Sequence, residues 1–141
     1  MRPRAAAELA LDALDTEPAR QQALREALWH QLVEAIPGLV RVSPAEDCLP
    51  NTLMIALPDR LGANLLDTTP AIAASTGSAC HSGVHSPAAT LLAMGIEPLL
   101  ALGALRLTLG RSTTHDQIHT AATAIIESWR NDTPNSQFAP E

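Results

Sequence analysis

The 141-residue chain contains no lysine, and all nine of its basic residues are arginine. A chain without lysine forms no lysine Schiff base and has no lysine-dependent phosphate loop. Aromatic residues are almost as scarce, with no tyrosine, one phenylalanine (Phe138) and two tryptophans (Trp29, Trp129). Fifteen acidic residues bring the formal charge to -6. An acidic, aromatic-poor chain lacks the basic stacking surface of a nucleic-acid binder. Long apolar runs are missing too. Leu91 to Leu105 is interrupted by Glu97 and Pro98, short of the roughly 18 residues a membrane span needs. The N-terminus shows no secretory pattern, and two cysteines, Cys48 and Cys80, make no disulfide framework. The expectation is a cytoplasmic protein that engages neither nucleic acid nor membrane.

What is present reads as one domain, with 46% hydrophobic and 17% charged residues. Residues 4–36 predict helix, broken near Thr16-Glu17-Pro18 and closed by Pro37-Gly38. Leu39 to Val42 predicts a short strand, and Leu53, Ile55 and Leu57 alternate as a second. Leu61 to Asp67 predicts a short helix, Ala71 to Ala74 a brief strand, and Ser75 to Ser86 a loop. Pro87 starts a helix through Met94 with Gly95 as its cap. Leu105, Leu107 and Leu109 alternate as another strand. Thr113 or Thr114 caps a helix to about Arg130, with Asp116 or Gln117 closing a capping box. Helices interleaved with short strands predict a two-layer α+β domain, with a flexible tail over 131–141.

Cys80 is the first candidate for chemistry. It lies among small residues, Ser75-Thr76-Gly77-Ser78-Ala79-Cys80-His81-Ser82-Gly83, where an accessible thiolate can reach a partner. The alternative is a small packing residue. Arg106 is the second. Strand alternation turns it away from the apolar face, where a guanidinium either captures a carboxylate or is simply solvated. The histidines raise a metal site: Cys80, His81 and His85 lie close in sequence, and His115 and His119 are one helical turn apart. No C-x-x-C pair supports zinc, and solvated or capping histidines are the simpler reading. Cys48, beside Leu49-Pro50, reads as a packing or turn residue.

Four blocks in order then carry a resemblance: Leu49-Pro50-Asn51-Thr52-Leu53, Ser75-Thr76-Gly77-Ser78-Ala79-Cys80, Leu91-Leu92-Ala93-Met94-Gly95, and Leu105-Arg106-Leu107-Thr108-Leu109-Gly110-Arg111-Ser112-Thr113-Thr114. From about residue 4 to 130 the chain resembles the C-terminal small domain of the NifS/IscS-type, pyridoxal-phosphate-dependent cysteine desulfurases, in the class V aminotransferase family. The resemblance implies the small domain of a fold-type I transferase, a short mixed or antiparallel sheet covered by helices, with 4–36 as connecting helices.

By the same resemblance, Cys80 is the nucleophile that becomes a persulfide as cysteine is converted to alanine. Arg106 binds the substrate carboxylate, and Gly77, Ser78 and Ala79 carry the catalytic loop. The family's pyridoxal phosphate sits on a lysine of a large domain, which this lysine-free chain cannot replace, so no covalently bound cofactor is expected and no resident metal. The chain departs from the family pattern at Met54, Pro70 and His81. Implied partners are a large cofactor-binding domain or partner desulfurase chain, a sulfur-acceptor scaffold or carrier of iron–sulfur cluster assembly, and a second copy in a homodimer. The resemblance implies the sulfur-accepting part of a desulfurase, inactive alone. The alternatives are a stand-alone persulfide carrier and an inert remnant.

Overall fold

A computed structural model describes residues 3–76 and 86–133. Helices α1 (Pro3–Ala13) and α2 (Glu17–Ala35) are separated by a turn at Leu14–Thr16. Pro18 lies in the first turn of α2, where its missing N–H costs nothing. Thr16 holds the N-cap position without a side-chain cap bond. β1 (Val40–Arg41) and β2 (Thr52–Ala56) follow, then α3 (Gly62–Asp67), α4 (Ala89–Ala93), α5 (Pro98–Leu102), β3 (Ala104–Thr108) and α6 (His115–Asn131). The sheet runs β1-β2-β3, and both strand pairs are antiparallel.

The two-layer α+β expectation holds. Leu53 and Ile55 of β2, with Leu57 beyond it, and Leu105 and Leu107 of β3, with Leu109, point to one face. There they bury against Leu24, Leu28 and Leu32 of α2 and Ile118, Ala122 and Ile125 of α6. Complete burial of such a side chain is worth about 1.5–3 kcal/mol, so this cluster dominates the fold. A smaller cluster of Leu91, Ala101 and Ala104 lies under α4 and α5, with Val42 and Met54 packed against it. No described helix is long and apolar enough to cross a membrane.

Three expectations are corrected. Ala71–Ala74 is not a strand: Ile72 N–H bonds back to Thr69 O at 3.3 Å, which commits that donor to a turn. The first residue to pair is Ser75, in an isolated antiparallel bridge with Arg106. Pro87 lies outside α4, because Ala88 is the extended N-cap whose carbonyl accepts from Leu91 and Leu92 N–H. Met94 is the C-cap, and Gly95 follows it at φ +81°. Asn131, placed in the tail by the sequence, completes α6; of the rest of that tail, 134–141 lie outside the described residues. Helix α5, hidden in the apolar run after Pro98, has no counterpart in the sequence reading.

Candidate functional site

β3 reads buried, buried, exposed, buried, exposed from Ala104 to Thr108. Period-two alternation drives Leu105 and Leu107 into the core and leaves Arg106 on the outer face. β2 presents Met54 directly opposite Arg106 and Thr52 opposite Thr108. The two threonine hydroxyls lie 3.5 Å apart. On the other edge of β3, Arg106 N–H donates to Ser75 O at 2.6 Å and Ser75 N–H to Arg106 O at 3.3 Å. Both backbone bonds of Arg106 thus go to Ser75, while Leu105 and Leu107 beside it pair with β2. The Arg106 guanidinium is exposed and has no hydrogen-bond or ion-pair partner among the described residues.

That guanidinium borders an open cavity of about 310 Å³, lined by Ala73, Ala74, Ser75, Arg106 and Thr108. Among the described residues the lining contains no acidic side chain, and the two alanines leave room beside the cation. A free Arg on a rigid strand, facing a small uncharged hollow, is suited to bidentate capture of a carboxylate. Ser75 Oγ is screened from solvent and has no hydrogen-bond partner among the described residues. A second cavity of about 260 Å³ lies on the core side of the same strand, with Ile72, Leu107, Leu109, Ile118 and Ile125 among its walls. Its character is apolar.

Four other arginines, Arg20, Arg25, Arg41 and Arg60, are committed to structure. Arg25, only 1% exposed, donates to Glu26 Oε1, Cys48 Sγ (2.8 Å), Leu49 O (2.8 Å) and Ala45 O (2.9 Å). It thereby ties α2 to the 45–49 turn. Glu26 also accepts two bonds of 2.7 Å from Arg41, whose guanidinium lies 5.5 Å from the Trp29 ring centroid. The Arg41 hydrogen bonds, partly opposed by desolvation and reinforced by Arg25, hold the Glu26 carboxyl down to about 2. Arg20 pairs with Glu17, whose carboxyl its hydrogen bonds hold below the usual range, and donates to Arg111 O and Thr113 O at 2.7 and 2.8 Å. Arg60 lies 5.6 Å from the Trp129 centroid.

Of the residues singled out in the sequence, Arg106 is placed as expected. Cys80, Gly77, Ser78, Ala79, His81 and His85 lie outside the described residues. Cys48 is more than a turn residue, since its sulfur accepts from Arg25 and donates to Pro44 O at 3.2 Å. His119 Nδ1 lies 2.9 Å from Gln31 Oε1, which joins α6 to α2. Among the described residues no group of three or more His, Cys, Asp or Glu is gathered for a metal. The sequence reading missed Ser75 as a neighbour of Arg106. It also missed the buried role of Arg25, whose partners come from the distant 45–49 turn.

No protein-family model matches the chain. Among curated proteins, a cysteine desulfurase of Frankia sp. is 34% identical over 96% of this chain and 33% of its own length. A cysteine desulfurase of Gluconacetobacter diazotrophicus is 37% identical over 96% of this chain and 37% of its own length. The cysteine desulfurase IscS of Ehrlichia chaffeensis is 30% identical over 87% of this chain and 30% of its own length. Among solved structures, a NifS-like protein superposes with a TM-score of 0.75 at 25% identity, covering 88% of this chain and 31% of that one. A NifS-like protein from Rickettsia africae superposes at 0.68 with 26% identity. The chain spans about a third of the length of the curated relatives it matches.

Proposed function

We propose, from the premise that this chain is a segment of a NifS/IscS-type cysteine desulfurase, that it is the C-terminal, sulfur-accepting part of one. In this reading Arg106 holds the α-carboxylate of substrate cysteine, and Cys80 takes the substrate sulfur as a persulfide. Gly77, Ser78 and Ala79 carry Cys80. The observation that supports the reading most is the pairing of Arg106 with Ser75. Arg106, whose guanidinium has no partner among the described residues, lines a small cavity, and the residue bonded to its backbone lies five positions before Cys80. Five residues reach at most about 17 Å, so the chain itself limits how far that thiol can lie from the cation.

The residues present do not make a pyridoxal phosphate site. No lysine exists to carry the cofactor, and the cavity beside Arg106 offers one hydroxyl pair and two methyl groups rather than a phosphate cradle. What this chain contributes is binding and sulfur acceptance. Arg106 orients the amino acid by its carboxylate. The Cys80 thiolate forms an S–S bond to the substrate sulfur as the substrate C–S bond breaks. The chain has no group to take up the electron pair left on the β-carbon, which becomes the methyl group of alanine on protonation. A cofactor-bearing large domain or partner chain supplies that chemistry, and a sulfur-acceptor protein removes the persulfide sulfur.

The purified chain, given pyridoxal phosphate and cysteine, is expected to release no alanine. Incubated with an active desulfurase and cysteine, it is expected to gain one sulfur by mass, and Cys80→Ala is expected to gain none. Alanine turnover by the chain alone would overturn the assignment as an accepting part. An adduct that survives Cys80→Ala would remove Cys80 as the acceptor.

A further inference from the structure

Ser75 and Arg106 exchange both backbone hydrogen bonds. In that arrangement two antiparallel residues project their side chains to the same face, with Cα atoms about 5.5 Å apart. The Ser75 side chain therefore shares the outer face with Arg106, opposite the core side taken by Leu105 and Leu107. Its hydroxyl oxygen is shielded from solvent, and among the described residues no group bonds to it. Buried hydroxyls ordinarily have a partner, and this one lies on the residue that lines the Arg106 cavity. Thr108, the other hydroxyl residue there, already faces Thr52. A carboxylate has about four acceptor sites and a guanidinium fork fills two, so a carboxylate on Arg106 retains capacity for another donor.

We propose that Ser75 is a second carboxylate-binding residue, whose hydroxyl donates to the α-carboxylate held by Arg106 and so fixes the rotation of the bound amino acid. The proposal rests on the reading of Arg106 as a carboxylate site. Arg106 supplies the charge and Ser75 supplies direction. The bridge fixes the Ser75 backbone relative to the strand that carries the cation, so the two donors stay in register.

The test uses the 141-residue chain and L-alanine as an α-carboxylate probe, with L-alaninamide as the uncharged control, followed by amide NMR titration. Ser75→Val and Ser75→Thr are nearly isosteric and differ in the hydroxyl. Ser75→Val is expected to weaken L-alanine binding about tenfold, the loss of one hydrogen bond to a charged group. Ser75→Thr is expected to keep wild-type affinity. Binding of the amide should be equally weak in all variants. Equal L-alanine affinity of the Val and Thr variants, with Arg106→Gln still abolishing binding, would overturn the Ser75 role and leave Arg106 standing. An Arg106→Gln chain that binds L-alanine as well as wild type would instead remove the underlying carboxylate site. If Ser75→Val loses its dispersed spectrum while Ser75→Thr keeps it, the hydroxyl is structural and the proposal falls.

Discussion

Both Nη atoms of Arg41 donate to the Glu26 carboxylate at 2.7 Å, while the same carboxylate accepts Arg25 from the other side. One acid thus serves two cations, one of them buried. The remaining demand of Arg25 is met by two carbonyls and the Cys48 sulfur. Such a cluster stabilises only when every donor is satisfied. It contrasts with Arg106, whose guanidinium has no partner among the described residues. The difference separates an arginine that holds α2 to the sheet from one available to a ligand.

Glu26 makes stability depend on acid. Its folded-state pKa lies at about 2, below the ordinary 4.5, so its contribution is complete above about pH 4.5 and is lost as pH falls towards 2. Urea unfolding of Glu26→Gln near pH 7 should show a loss of about 2 kcal/mol. The gap between variant and wild type should narrow progressively below pH 4.5. A gap that stays constant from pH 7 to pH 2.5 would show that the carboxylate charge is not what stabilises the cluster.

Two substitutions of arginine by glutamine should behave oppositely. Arg106→Gln removes a side chain without partners among the described residues and should change unfolding free energy by no more than about 0.5 kcal/mol. It should nevertheless abolish binding of an α-carboxylate probe. Arg25→Gln leaves three acceptors and one carboxylate short of their donor in a buried place, and should cost about 3 kcal/mol. Chemical denaturation of both variants at neutral pH makes the comparison. Comparable losses in the two would mean that Arg106 also serves the fold.

Where period and capping decide an element, the sequence was sufficient. Alternation at Leu53–Leu57 and Leu105–Leu109 located β2 and β3, and it set Arg106 outward. Thr114 and Gln117 form the expected capping box. The less legible features depend on tertiary pairing. Nothing local distinguishes Ala74 from Ser75 as the residue that bridges β3. Arg25 reads as a helix-surface cation until the 45–49 turn folds over it. Helix α5 is five residues long, too short for a 3.6-residue period to show in an apolar run.

Gly103, the single residue between α5 and β3, lies tight against the backbone of Leu57. A Cβ built there would collide with the Leu57 carbonyl and press on Arg60 O at 3.1 Å. The Gly103 carbonyl also accepts Leu57 N–H at 3.0 Å. Gly103→Ala cannot relax by a rotamer change, because the obstruction is backbone. It should cost about 3 kcal/mol. Gly95→Ala meets nothing within 4 Å but carries φ +81°, so it should cost only about 1 kcal/mol. Thermal or urea unfolding should rank the two in that order, and the reverse ranking would mean that the α5–β3 junction yields.

The capping box that starts α6 couples two residues which should not behave independently. Thr114 Oγ1 accepts Gln117 N–H at 3.3 Å, while Gln117 Oε1 accepts Thr114 N–H at 3.0 Å. Thr114→Ala should cost about 1 kcal/mol, as lost N-caps do. Gln117→Ala should cost less, because water can replace a side-chain acceptor at an exposed helix end. Each bond orients the other, so the double variant should lose less than the sum of the singles, with a coupling of about 0.5 kcal/mol. A double-mutant cycle in urea measures this directly. Strict additivity would show that the two bonds form independently, leaving the Arg20 bonds to Arg111 O and Thr113 O to hold the β3–α6 connection.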